Sequence, residues 1–127
     1  MTVNVIIPVP TDEVREGNRL LATADRQAVF RNDCASCHAA PTKGLKGGEL
    51  FVAACVICHG SDRRASTVPD LHVAKEKRDT AFWLKWIREG KEGTLMPAFS
   101  SKRGGPLSDE QMATLAEYLA KNLPTGP

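Results

Sequence analysis

The amino-acid sequence predicts an all-α chain with long loops, folded as one compact unit, on three observations. Four stretches place apolar residues at helical intervals. Gly and Pro break the chain between them. No two runs of alternating apolar and polar residues mark a strand pair. The chain has 127 residues, enough for one domain and too few for two independent ones. A globule of that length has a radius of gyration of about 14 Å, so any two sites in it lie close together. Long loops in so small a unit leave room in the core for something other than side chains.

Residues 1–12 are interrupted by Pro and rich in β-branched side chains, and read as an extended arm. Residues 13–31 are expected as helix, with Leu20, Leu21, Ala24, Ala28 and Val29 at its apolar positions. Pro41, Gly44, Gly47 and Gly48 then mark a loop. A short helix runs from about Glu49 into a cysteine-rich stretch, and residues 60–78 are polar and irregular around Pro69. Trp83, Trp86 and Ile87 stand at i, i+3 and i+4 in a helix from Thr80 to Glu89, which Gly90 stops. Residues 91–107 form a loop holding Met96-Pro97. The last helix opens on an S-x-x-Q capping box, Ser108 with Gln111, flanked by Leu107 and Met112 at the staple positions. Met112, Leu115, Ala116, Leu119 and Leu123 continue it at helical spacing.

Composition excludes more than it selects. Hydrophobic residues make up 42% and charged residues 25%, ordinary for a soluble protein. A formal charge of +2 is too small to argue for a nucleic-acid partner. The opening Met1-Thr-Val-Asn-Val-Ile-Ile-Pro-Val-Pro has no basic leader and no apolar run of signal-peptide length. It is also far too short to span a membrane. Two readings of this start stay open: a mature form with a starting Met, or a piece of something larger.

Four cysteines and three histidines stand out by position. Cys34-Ala35-Ser36-Cys37-His38 and Cys55-Val56-Ile57-Cys58-His59 both read C-x-x-C-H, the pattern of c-type haem attachment. Two thiols three residues apart on a helical turn can form thioethers to the two vinyl edges of one haem. The next residue then lies under the iron, and its imidazole supplies the proximal ligand. The motif belongs to a longer echo, because Phe30 and Phe51 each precede it by four residues and the whole pattern is shifted by 21. The flanking sequences differ, so an attachment site is repeated rather than a domain. Two covalent haems are expected, one at Cys34, Cys37 and His38, the other at Cys55, Cys58 and His59.

The same cysteines also have a zinc-ribbon spacing, which would give one tetrahedral Cys₄ site. The histidines discriminate. Composition alone would place His after both pairs about once in two thousand chains, and a Cys₄ site has no use for either. A thioredoxin-like redox centre would need a βαβ context that the pattern lacks.

Met96-Pro97 lies 37 residues after His59, between two amphipathic helices. A thioether is a soft, uncharged ligand that raises the potential of haem iron held by a histidine. Methionine more commonly fills a gap in a core, and Met112 fits that use. Met96 differs, since Pro97 stiffens its loop and Phe99 adds an aromatic wall. It is the expected sixth ligand of the second haem. Phe82, Trp83, Trp86 and Phe99 either wall the haem or pack helix on helix.

From about Gly47 to its end, roughly two-thirds of its length, the chain resembles class I cytochromes c. Gly47, Phe51 and Cys55 have the spacing of that family's first helix, and Leu115 and Tyr118 that of the last-helix residues packing across it. Cys55-x-x-Cys58-His59-Gly60 resembles the haem site. Pro69-x-Leu71 resembles the segment whose Pro covers the proximal imidazole, and Gly93-Thr94-Leu95-Met96-Pro97-Ala98-Phe99 the methionine-ligand loop. The resemblance implies an all-α fold with loops wrapped around haem, thioethers at Cys55 and Cys58, and His59 and Met96 as axial ligands. It divides the chain into residues 1–46, carrying the arm, a helix and the first motif, and residues 47–127, the class I-like part. The first motif is the departure: it implies a dihaem variant whose first haem lacks its own Pro-x-Leu segment and Met-Pro loop.

For that first haem, His72 is the candidate sixth ligand by elimination. His38 and His59 are committed, Met96 is assigned, Met112 is a staple and Met1 is terminal. A lysine must first lose a proton, which disfavours it near neutral pH. A surface role for His72, a hydrogen bond to a haem propionate and a five-coordinate first haem are the open alternatives.

The expected function is electron transfer between redox protein partners, rather than substrate turnover. A ligand sensor or small enzyme using an open first haem is the second class. Against it, two haems in so short a chain leave little space for a substrate pocket, and no acid–base group stands beside His38. A zinc-stabilised interaction module is the third. Lys75, Lys77, Arg78, Lys85, Arg88 and Lys91 offer a basic docking face, but Glu76, Asp79, Glu89 and Glu92 among them favour an ordinary solvated surface. Haem is joined to such motifs outside the cytoplasm, so a periplasmic or equivalent location is expected.

Overall fold

The structure is a computed structural model that describes residues 11–59, 70–71, 76–124 and 126, apart from the side chains of Arg15, Arg19, Thr23, Ile57 and Cys58. The described residues form helices and short turns with no strand, and a single isolated bridge joins Ser100 to Leu107. The all-α expectation holds. No helix among them is long and apolar enough to cross a membrane. The arm expected over residues 1–12 lies outside the described residues up to residue 10.

Helix α1 spans Asp12–Ala24, capped by Thr11, whose hydroxyl accepts the Val14 N–H at 3.3 Å. The helix expected to reach residue 31 ends early, at Asp25. There the backbone is extended and the carboxylate accepts the Gln27 N–H at 3.1 Å. A side chain that caps the next turn competes with continued helix. A 3-10 turn over Arg26–Phe30 follows. Leu20 and Leu21 are exposed rather than packed, because the main neighbour of α1 is this adjacent turn. A second 3-10 turn, Asn32–Cys34, leads into the four-residue α2, Ala35–His38, and a third covers Ala40–Thr42.

Helix α3, Gly47–Ala54, starts two residues earlier than expected and is separated by Cys55 from α4, Val56–His59. The start of α3 is tied to the start of α6, Asp109–Asn122. Gly47 donates its N–H to Thr114 Oγ1 at 3.1 Å, and Lys46 Nζ reaches Glu110 Oε1 at 2.7 Å. Gln111 Nε2 donates to Thr42 O at 2.8 Å and Leu45 O at 3.0 Å. Further along, Tyr118 crosses α3. Its ring lies 5.8 Å from that of Phe51, and a Cβ on Gly48 would come 3.0 Å from Tyr118 Cε2. Gly48 is therefore the close-approach glycine, while Gly47 has open space around it and a positive φ of 54°.

The capping box forms as expected: Ser108 Oγ accepts the Gln111 N–H, and Gln111 Oε1 accepts the Ser108 N–H. Leu107, Met112, Leu115, Ala116, Leu119 and Leu123 are buried. Each fully buried leucine contributes about 1.5–3 kcal/mol, so this face of α6 is a main source of stability. Helix α6 packs on both α3 and α5, Thr80–Glu89. Asp79 caps α5 by accepting the Phe82 N–H at 2.8 Å, and Trp83 and Ile87 are buried. Gly90 ends it at φ 58°, where a Cβ would stand 2.3 Å from Pro97 O. Only glycine lets the Met96-Pro97 loop fold back this closely. Phe99 N–H then donates to Ile87 O at 2.9 Å, and Lys91 N–H to Met96 O at 3.2 Å.

Candidate haem sites

Both C-x-x-C-H segments fold as short helical turns. In the second, His59 N–H donates to Cys55 O at 2.9 Å. In the first, Ala39 N–H donates to Ala35 O at 3.0 Å. On such a turn, residues at i, i+3 and i+4 share a face, which sets Cys34, Cys37 and His38 on one side of the first turn and Cys55 and His59 on one side of the second. Cys34, Cys37 and Cys55 are thiols rather than disulfides. The Cys58 side chain, Gly60, Pro69 and His72 lie outside the described residues.

The surroundings of the two turns differ. Cys55 is buried and belongs to the core cluster with Trp83, Ile87 and Phe99. Met96 and Leu71 are half-buried and pack against that same cluster. His59 is half-buried. In the first turn Cys34 and His38 are half-buried and Cys37 is exposed, and none of the three joins the core cluster. Burial holds the His38 imidazole below its ordinary range. That direction favours the neutral imidazole, the form whose lone pair can bind a metal.

The residues present fit c-type haem. The first turn carries Cys34, Cys37 and His38, and the second carries Cys55 and His59 among the described side chains, the residue types that thioether attachment and iron ligation need. Near the second, Trp83 Nε1 is buried with no hydrogen-bond partner among the described residues. A buried N–H left unmet costs about 1–3 kcal/mol, so it suits a bound group that brings its own acceptor oxygens. No three His, Cys, Asp or Glu side chains among the described residues gather into a group able to hold a metal ion, although Cys34, Cys37 and Cys55 are all described.

One expectation is corrected. Arg78 is not part of a basic surface: it is buried, its Nη1 donates to Leu71 O at 2.7 Å, and its guanidinium lies 5.2 Å from the Trp83 ring centroid. Lys77, Lys85, Arg88 and Lys91 are exposed. Phe82 stands edge-on to Trp83 at 5.2 Å and tilted to Trp86 at 6.3 Å, so these aromatic rings form one group along α5.

Two residues that spacing did not mark also reach this region. Arg26 Nη1 donates to Glu89 O at 2.7 Å and Met96 O at 3.2 Å. Gln27 bonds the backbone of Ala98 and Arg103. No periodicity or motif signals them, because their partners are backbone groups some seventy positions away.

The family model described as cytochrome c oxidase, cbb3-type, subunit III, matches residues 42–119, more than half of the chain. The match contains the second C-x-x-C-H turn and the Met96 loop, and it begins after the first turn. Comparison with curated proteins and with solved structures gives no match. A matched cytochrome c domain on an all-α cytochrome c-like fold implies covalent haem c and haem-based electron transfer. The chain thus belongs to the cbb3-type cytochrome c oxidase subunit III family and is a c-type cytochrome.

Proposed function

We propose that this cytochrome carries two covalent haems and passes single electrons between redox protein partners on the extracytoplasmic side of a membrane, such as the periplasm. One observation carries the reading: two C-x-x-C-H segments take the same helical-turn form, one inside the family match and one outside it. Haem supplies a one-electron ferric–ferrous couple when bound.

The roles of this chain's residues follow from their chemistry. Cys34 and Cys37 would hold the first haem by thioethers, with His38 as proximal ligand. Cys55, Cys58 and His59 would do the same for the second. Met96 would complete the second site, its neutral thioether favouring the reduced iron. Trp83, Phe99 and the buried face of α6 exclude water around Cys55, which lowers the local dielectric and the solvent rearrangement that accompanies a change of charge. His72 is proposed as the sixth ligand of the first haem. An open first haem that binds a small ligand is the second reading, and the lack of a Met-Pro loop belonging to the first motif favours it. Carbon monoxide binding to the reduced protein separates these two.

The test of the main reading is intact mass in denaturant. Two haem additions per chain are expected. One addition defeats the dihaem claim, and a bound zinc without haem defeats the whole reading.

A further inference from the structure

Residues 26–30 lie just ahead of the first haem-attachment turn, yet their side chains reach into the loop that carries Met96. Gln27 uses its whole amide there. Nε2 donates to Ala98 O at 2.9 Å and to Arg103 O at 3.1 Å, while Oε1 accepts the Ala98 N–H at 2.7 Å. Ala98 is 1% exposed, so without Gln27 its N–H and C=O would face the desolvation cost of unmet buried groups. The side-chain amide stands in for the neighbouring strand that this loop does not have. Arg26 Nη1 bridges Glu89 O, at the end of α5, and Met96 O. Phe30 meets Phe99 edge-on with ring centroids 5.1 Å apart. Met96, Ala98 and Phe99 are thus each gripped by the segment that precedes the family match.

We propose that Arg26 and Gln27 are positioning residues that hold the Met96 loop closed, so that the firmness of Met96 ligation is set from the segment bearing the first haem motif. This rests on Met96 being a ligand of the second haem. The loop has bonds of its own, Lys91 N–H to Met96 O and Phe99 N–H to Ile87 O. Those two leave Ala98 unserved, and Ala98 is where Gln27 acts. A competing ligand must displace Met96 and open the loop, which breaks the Gln27 bonds. Its apparent affinity therefore reports how firmly the loop is shut.

The experiment is an imidazole titration of the ferric, haem-loaded full chain, followed by loss of the far-red absorption band of methionine-ligated haem. Gln27→Ala should raise imidazole affinity about tenfold, since three hydrogen bonds of modest net strength are lost. Gln27→Glu loses both donations and sets a carboxylate oxygen against the Ala98 and Arg103 carbonyl oxygens, so it should raise the affinity as well. Arg26→Lys should fall between the parent and Gln27→Ala. Val14→Ala, on the exposed face of α1, should bind imidazole as the parent does. Unchanged affinity in the Gln27 and Arg26 variants, even with a lowered Tm, would mean a purely structural role and overturn the proposal. Met96→Leu separates the two levels of the argument. If the band persists in Met96→Leu, the ligand assignment and the proposal both fall. If the band is lost there while Gln27→Ala binds imidazole as the parent does, only the proposal falls. Should Gln27→Ala not fold, Gln27→Glu and Arg26→Lys carry the same decision.

Discussion

Cys55 sits in the core at the end of an eight-residue helix that packs on α6. Cys34, at the same place in the first C-x-x-C-H turn, is half-buried and ends a three-residue 3-10 turn directly ahead of a four-residue helix. The local backbones are alike, while the packing around them is not. A helical turn of five residues needs only its own hydrogen bonds, so it can be repeated almost anywhere in a chain. Burial needs long-range partners: α3 against α6, Gly48 under Tyr118, and the Met96 loop folded over Gly90. Among the described residues, the second turn has these and the first does not. Attachment chemistry is cheap in sequence, and control of the iron's surroundings is expensive.

If that contrast is right, removing the two cysteine pairs should have unequal consequences. Cys55→Ser with Cys58→Ser should abolish one haem addition and also unfold the α3–α5–α6 core, because a haem held beside Cys55 would fill part of it. Cys34→Ser with Cys37→Ser should abolish one addition while leaving the helical circular-dichroism signal and the far-red band close to the parent's. Equal damage from both pairs would break the comparison.

A smaller effect sharpens the same point. Gly48→Val places two methyl groups against the Tyr118 ring, where even a Cβ would stand at 3.0 Å. Overpacking of this kind costs about 1–3 kcal/mol, more than valine gains over glycine in helix propensity. Denaturant unfolding should show that loss, with the haem count unchanged. Stability equal to the parent would mean that the ring moves aside freely, and that the α3–α6 crossing does not fix the second site.

The sequence made much of this legible, for reasons that vary by element. Helix α5 and helix α6 were read closely, since Gly90, Ser108 and Gln111 are local end signals and Trp83, Ile87, Leu115 and Leu119 keep a helical period. The C-x-x-C-H turns were legible because their chemistry requires fixed spacing. The helical pattern of its apolar residues carries helix α1 too far: the cap made by the Asp25 side chain cuts it short, and Leu20 and Leu21 find no partner face among the described residues. Arg78 was misplaced because charge suggests a surface, whereas a carbonyl and an indole ring receive it inside. Arg26 and Gln27 escaped notice because they bond backbone atoms, which leave no trace in residue type.

On the proposed reading, two unlike haem sites share one small chain, a buried methionine-ligated one and a more exposed one. A spectroelectrochemical titration of the haem-loaded full chain tests it most directly. On the proposed ligation, burial and a thioether ligand would both raise the potential of the second site relative to the first. Two one-electron components of similar amplitude are expected, with the far-red methionine band following the higher. Because the sites lie within one small globule, each component should also shift with the other's oxidation state. A single component, or a band that follows the lower one, would contradict the account.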